Sequence, residues 1–299
     1  MRWAALFTFV GLFLFASCAK EGAPAATQAS ATPMVLVSSP PYAYLTQLVA
    51  GDTVQVECLI PPGTNPHLFE LPPKQVQKVL QSSLLLRLGE PMEEKFLGIF
   101  RAHNPGLEIV DLSDGIAMIV LPHEHGDHSC CSHDGQDRHF WTSPTLAKQQ
   151  LATIAGTLEK MYPEHSAQYR ENLARGLDLL SQIDQDIRSI LTEAPNVIAI
   201  SHPALGYFCR DYGIEQLSIE IEGKEPLPGD LAALVEQIRQ KSVNTILLLP
   251  QHNNQGALRL ADLLSLRLQM IDPYDPDYPA AMRATALAIA NSSSTKAAL

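Results

Sequence analysis

Cysteine is scarce. There are five in 299 residues, and Cys58, Cys130, Cys131 and Cys209 are those beyond position 18. Neither their number nor their spacing makes a disulfide framework. Cys58 sits in a strand-like run and Cys209 in a helix-like one, where a thiol packs as a small apolar group. Basic residues are outnumbered, 21 Lys and Arg against 32 Asp and Glu, for a net charge of −11. No basic surface dominates, which argues against a nucleic-acid partner. The acidic excess alone attracts cations only weakly, since salt screens surface charge over roughly 8 Å. Catalytic signatures are missing too: there is no HExxH helix and no GxSxG elbow, and Ser201 and His202 are adjacent instead of placed as nucleophile and base. With 46% hydrophobic and 6% aromatic residues, the composition fits a folded soluble protein.

The first eighteen residues, MRWAALFTFVGLFLFASC, place one cation, Arg2, before an apolar run too short to span a bilayer with confidence and then small residues. This pattern predicts a secretory signal peptide over 1–17. Ordinary cleavage after Ser17 would leave bulky Phe15 where a small residue is wanted. Phe15-Ala16-Ser17-Cys18 reads better as a lipobox, with Cys18 lipidated. The stretch 18–33 is then a flexible tether without large apolar residues. The chain is expected to be exported and to reach a membrane through this anchor, as a periplasmic or cell-surface lipoprotein.

Beyond the tether, short apolar runs alternate with amphipathic segments. VLVS (35–38), VQVECLI (54–60), LLLRLG (84–89) and LEIVDL (107–112) are each followed by a helical or loop stretch. The pattern restarts after 195 with NVIAI, QLSIEI, NTILLL and LQMID. Such alternation predicts an α/β protein of two lobes, each a roughly four-stranded parallel sheet flanked by helices. Between them, Tyr169, Leu173, Leu177, Leu180, Ile183, Ile187 and Ile190 recur at steps of three and four. Pro163 and Pro195 bracket one linking helix over 163–194, about 29 helical residues or roughly 43 Å. The expected domains are an N-terminal lobe at 34–162, this helix, and a C-terminal lobe at 195–299. A rigid helix between the lobes implies small rearrangement on ligand binding.

Ligands of parallel sheets bind beyond the carboxyl ends of the strands. That rule selects His67 after VQVECLI, His139 at the end of the long loop after LEIVDL, His202 after NVIAI, and Asp272 after LQMI. Any one histidine is more commonly a surface or satisfied core residue, but strand-end position restricts each independently. Three neutral imidazoles and a carboxylate suit tetrahedral zinc. Imidazole also suits copper, nickel and iron, and a more oxygen-rich set manganese. A metal site in the interlobe cleft is the expectation.

These segments resemble the metal-binding solute-binding lipoproteins of ABC importers, the zinc and manganese group of cluster A-I. The resemblance covers about residues 34–290. GTNPH resembles the family's GxDPH, with Asn65 for aspartate and His67 kept; DRHFWTSP resembles DPHVWLDP, with His139 kept. HPALGYFCRDYGI resembles HDAFGYFAERYGL and places His202, IDPY places Asp272, and GKEPLP (223–228) resembles a further family stretch. The resemblance implies Zn2+ as transported ligand, since histidine as third ligand accompanies zinc and glutamate there accompanies Mn2+. It implies a monomer, not an enzyme, that docks on an ABC importer permease and its ATPase. Many members have Glu-Pro after the penultimate strand where this chain has Leu249-Pro250, and His252 nearby is expected at the surface.

The loop 121–138 carries His123, His125, His128 and His133 among glycines and acids. It is too polar to be held rigidly. The expectation is an accessory capture loop, weaker than a preformed site because chelation must order the chain. Cys130 and Cys131 either add thiolate or oxidise. Acidification below roughly pH 6 is expected to protonate the imidazoles and weaken binding. An adhesin or zinc buffer of the same fold, or another divalent-metal carrier, shares this site; a zinc hydrolase would need an open coordination position and a nearby base.

Overall fold

The apolar runs form two four-stranded parallel sheets. The computed structural model describes residues 32–120, 135–220 and 228–292. The first sheet contains β1 (Met34–Val37), β2 (Gln55–Cys58), β3 (Ser82–Arg87) and β4 (Glu108–Asp111), in the order β2-β1-β3-β4. The second contains β5 (Val197–Ile200), β6 (Glu215–Ser218), β7 (Thr245–Leu248) and β8 (Arg267–Met270), in the equivalent order β6-β5-β7-β8. Every ladder is parallel, as in Val35 beside Val56 and Leu247 beside Ile200. In both sheets the chain reverses direction beside the first strand. Loops leaving β1 and β3, or β5 and β7, therefore diverge and open a crevice at the carboxyl edge.

The crossovers are helical: α1 (Pro40–Ala50), α2 (Pro73–Gln81), α3 (Pro91–His103), α4 (Pro144–Met161), α5 (Ser166–Ile190), α6 (Gly206–Tyr212), α7 (Pro228–Gln240), α8 (Gln255–Leu264) and α9 (Tyr278–Asn291). Proline opens the first turn of α1 to α4, where its missing N–H removes nothing from the helix and its fixed φ suits it. The long linking segment is α5, 25 residues or roughly 37 Å, shorter than the single helix expected over 163–194. Pro163–His165 and Leu191–Glu193 form separate 3-10 turns at its ends. Pro195 disfavours helical backbone at Ala194, so the helix stops early.

The α5 stripe of Tyr169, Leu180, Ile183 and Ile187 is fully buried. It belongs to a hydrophobic cluster that is continuous through both halves, from Val35, Val37 and Leu86 of the first sheet to Ile198, Ile200 and Leu247 of the second. Tyr42, Phe140, Trp141, Tyr207 and Tyr278 lie in the same cluster, the first four with ring centroids 6.2 to 6.5 Å apart in edge-on pairs. Two smaller clusters back the outer faces of the sheets. The two sheets are thus sides of one core, which the expectation of two lobes on a linking helix did not contain. No helix among the described residues is long and apolar enough to cross a membrane. The expected signal peptide, Cys18, the loop histidines and most of GKEPLP lie outside the described residues.

Gly176 sets how closely α5 packs. A Cβ there would stand 2.6 Å from Leu151 Cδ2 of α4 and 3.1 Å from Leu48 Cδ2 of α1. Gly176→Val is expected to overpack this junction and destabilise the chain by about 1–3 kcal/mol, read as a lowered midpoint in urea denaturation.

Candidate metal centre

Seven of the eight strands deliver a polar side chain to the crevice. His67 follows β2 in a 3-10 turn, Pro66–Leu68, whose start is capped by Asn65 Oδ1 accepting from the His67 N–H at 2.9 Å. An amide oxygen suffices for that bond, so Asn65 keeps the turn. Glu90 follows β3 at the start of α3, where Glu93 accepts the backbone N–H groups of Leu88 and Glu90 at 3.0 and 2.8 Å. His139 follows β4 after the long loop, and His202 leaves β5 directly. Glu220 follows β6, His252 follows β7, and Asp272 and Tyr274 follow β8.

The structure brings His67, His139 and His202 together, with one ring nitrogen of each lying within 4.8 Å of the others. Nε2 of His67 and Nε2 of His202 are 3.3 Å apart. Two nitrogens on a tetrahedral ion at 2.0–2.1 Å stand roughly 3.3–3.4 Å apart, so this pair already has ligand spacing. A cavity of about 10 Å³ lies between them, lined by Glu90, Asp137 and Pro203 as well, room for one water-sized particle.

Each imidazole has a carboxylate behind it. Asp137 Oδ1 is 2.7 Å from His139 Nδ1 and also accepts the His139 backbone N–H at 2.8 Å. Glu220 Oε2 is 2.8 Å from His202 Nδ1, and Glu90 Oε2 is 4.0 Å from His67 Nδ1. With the proton on Nδ1, Nε2 offers its lone pair to the centre, the usual arrangement behind a metal-bound histidine. Burial pushes His67 down to about 3 and His202 well below its ordinary value, the neighbouring imidazoles adding to the effect. Burial opposes charge on His139 as well, but the hydrogen bond and charge of Asp137, with Glu90 behind, outweigh it and raise its pKa. Burial lifts Glu90 and Glu220 to about 7.

His139 is held from the other half of the chain. Tyr207 Oη donates to the Asp137 carbonyl at 2.7 Å, Trp141 Nε1 to the Pro273 carbonyl at 2.9 Å, and Tyr278 Oη to the Trp141 carbonyl at 2.9 Å. Tyr274 Oη lies 2.8 Å from His139 Nε2. Gly206 faces Asp137 so closely that any Cβ would collide with its Oδ2. The glycine of HPALGYF is therefore required by the carboxylate that orients His139.

Two sequence expectations read differently here. Asp272 is not among the side chains whose ligand atoms converge; its Oδ1 accepts from Gln251 Nε2 at 2.8 Å and from the Tyr274 N–H at 2.9 Å. His252 is not at the surface. It is 8% exposed and its ring stacks on His202 with centroids 3.8 Å apart. Turning the chain inward at Leu249-Pro250, beside β5, puts residue 252 in the crevice. Glu220 was missed because QLSIEI reads as strand throughout, whereas β6 ends at Ser218. Asp137 did have a signal, an aspartate two residues before a histidine.

The family model for the periplasmic zinc-uptake complex component A (ZnuA) matches residues 35–292. The chain belongs to this family. It is thus a metal-binding solute-binding protein of the cluster A type and not an enzyme. A Chlamydia muridarum protein named for metal binding is 33% identical over 261 residues, covering 86% of this chain and 90% of its own length. The zinc-binding protein AdcA of Streptococcus pyogenes is 24% identical over 77% of this chain, which spans 48% of AdcA. Among solved structures, a ZnuA crystal structure superposes with TM-score 0.81 at 29% identity, over 88% of this chain and all of its own. A ZnuA 138–173 deletion mutant solved with zinc bound gives TM-score 0.81 and 29% identity, over 89% of this chain and all of its own. ZnuA-family proteins are extracytoplasmic and work with an ABC importer permease and ATPase.

Two outcomes follow. Gly206→Ala should shift Asp137 and weaken metal binding about tenfold, as loss of a partner behind a ligand does, and the clash should lower the thermal midpoint as well; chelator competition and a melting curve check both. Acidification should act through fewer groups than the histidine count suggests. His67, pushed down to about 3, is already neutral across pH 5–8, and burial favours the neutral ring of His202 as well. His139, Glu220 and Glu90, all raised, hold protons that an ion in the crevice must compete with as the pH falls. The slope of log Kd against pH between 5.5 and 7.5 should therefore be about one to three protons, set by these three groups and not by His67.

Proposed function

We propose that this chain captures Zn2+ outside the cytoplasm with His67, His139 and His202 and delivers it to an ABC importer permease and its ATPase. The observation that carries the reading is the convergence of these imidazoles, each with a carboxylate on its Nδ1 side. Three nitrogen donors favour zinc over manganese, which prefers oxygen-rich sets. The names of AdcA and of the zinc-bound ZnuA relative agree with that choice. The chain works as a monomer, exported by its signal peptide and tethered through lipidated Cys18. His123, His125, His128 and His133 raise the local Zn2+ concentration at the cleft.

Asp272 enters as the fourth ligand through the turn it shares with Tyr274. An ion on His139 Nε2 has to replace the Tyr274 hydroxyl now 2.8 Å away. Moving that turn releases the hydroxyl and brings the carboxylate two residues earlier toward the vacated position. The halves need not part, because their common core runs beneath the site.

Zinc stoichiometry and affinity by chelator competition test the reading. The mature chain should bind one Zn2+ tightly, and deletion of 123–134 should keep that site. His139→Ala should weaken it by more than about a hundredfold, and Asp272→Ala by about tenfold to a hundredfold. Tight binding that survives His139→Ala but disappears with the loop would make the loop the chelator and overturn the assignment.

A further inference from the structure

His252 is an imidazole of this cluster that zinc capture as described leaves unused. It follows β7, the strand paired with β5, and so reaches the same carboxyl edge as His202. Its ring lies 20° from parallel with that of His202 and its centroid 5.8 Å from that of His67. Nδ1 is 4.0 Å from Glu220 Oε2, and the side chain is 2% exposed. Its Nε2 is buried and has no hydrogen-bond partner among the described residues. A ring that served only to pack against His202 would be better apolar, since a buried nitrogen without a partner is costly. The two stacked imidazoles and the carboxylate converge as well: one ligand atom each of His202, Glu220 and His252 lie within 4.8 Å of one another.

We infer that His202, Glu220 and His252 form a second position for a divalent transition cation, overlapping the three-histidine position through His202. The inference rests on the reading that His67, His139 and His202 hold metal. Two imidazoles and a carboxylate are a donor set for zinc-type ions, and the carboxylate supplies a negative charge that the three-histidine set lacks. Both sets draw on His202, and two doubly charged ions so close together would repel strongly. The positions are therefore alternatives for one ion. The stacked rings send their in-plane lone pairs side by side, so an ion between them tilts the rings apart.

The test uses Zn2+ alone, on the chain with His123, His125, His128 and His133 replaced by asparagine and Cys130 and Cys131 by serine, so that the loop supplies no imidazole or thiolate donors. In this parent, His139→Ala should bind one Zn2+ more than about a hundredfold more weakly, and adding His252→Phe or Glu220→Gln should weaken it by a further tenfold or more. His252→Phe alone should keep the tight site, and the Co2+ absorption bands of His139→Ala should change when His252→Phe is added. Far-UV circular dichroism and melting curves identify any variant that fails to fold, and His252→Leu then stands in for His252→Phe. Equal residual affinity of His139→Ala with and without His252→Phe and Glu220→Gln overturns the second position. If His139→Ala leaves the parent's tight site intact, the three-histidine reading fails instead. In that case loss of the tight ion in His252→Phe upholds the second position and its retention overturns it.

Discussion

The structure depends on how a short segment of one half, Asp137 to Thr142, is fastened by the other. Tyr207, Pro273, Tyr274 and Tyr278 all lie beyond α5 in sequence, yet they bond the carbonyls, the indole and the imidazole of this segment. Phe140 and Trp141 are buried in the cluster shared by both sheets. His139 is thus placed by side chains more than sixty positions away, and it stands opposite His202 because the same contacts that close the core also fix the ring. An imidazole at the end of a long loop would otherwise lose much of its pre-organisation, and ordering it would cost part of the binding energy.

Electrostatics then completes what packing begins. The crevice concentrates neutral imidazoles and buried carboxylates with little solvent, so charge of either sign is penalised there. Burial drives His67 and His252 down to about 3 and Glu90 and Glu220 up to about 7. These opposite displacements describe a site that favours neither a proton on the rings nor charge on the acids while no cation is near. A divalent ion held by these rings, as proposed, would reverse that preference, because it would stabilise ionised Glu220 and Glu90 behind them. Asp137 differs in being tied to His139 by two hydrogen bonds, and this keeps that ring the more basic of the three.

Much of this was legible in the sequence, and the reason is geometric. Parallel strands send their ligands to one edge, so a histidine placed just after an apolar run was informative, and His67, His139 and His202 came from that rule alone. The rule was limited by strand boundaries. Glu220 was hidden inside QLSIEI, because Ile219 stays buried after the ladder ends at Ser218 and so continues the apolar pattern. His252 failed for a different reason: polar residues and a proline surround it, and local composition reads as surface although the chain folds inward there. Tyr274 and the carbonyl partners of Trp141 and Tyr207 could not be read at all, since their contacts span seventy or more residues. The long helix itself was legible, but its last turns were not, because the apolar stripe from Tyr169 to Ile190 lies wholly inside α5 and says nothing about the 3-10 turns that flank it.

The continuous cluster from Val35 to Leu247 has one more consequence. A carrier built as two separable jaws can surrender its cargo by gaping, but here gaping would expose Tyr42, Phe140 and Trp141 to water. Unloading must therefore be a small-scale act at the crevice rim. A receiving protein would do best to grip the turn that carries Asp272 and Tyr274 and unlock it, changing who bonds His139 while leaving the scaffold shut. Loading and unloading would then be the same short movement run in opposite directions, with the direction set by what touches the rim.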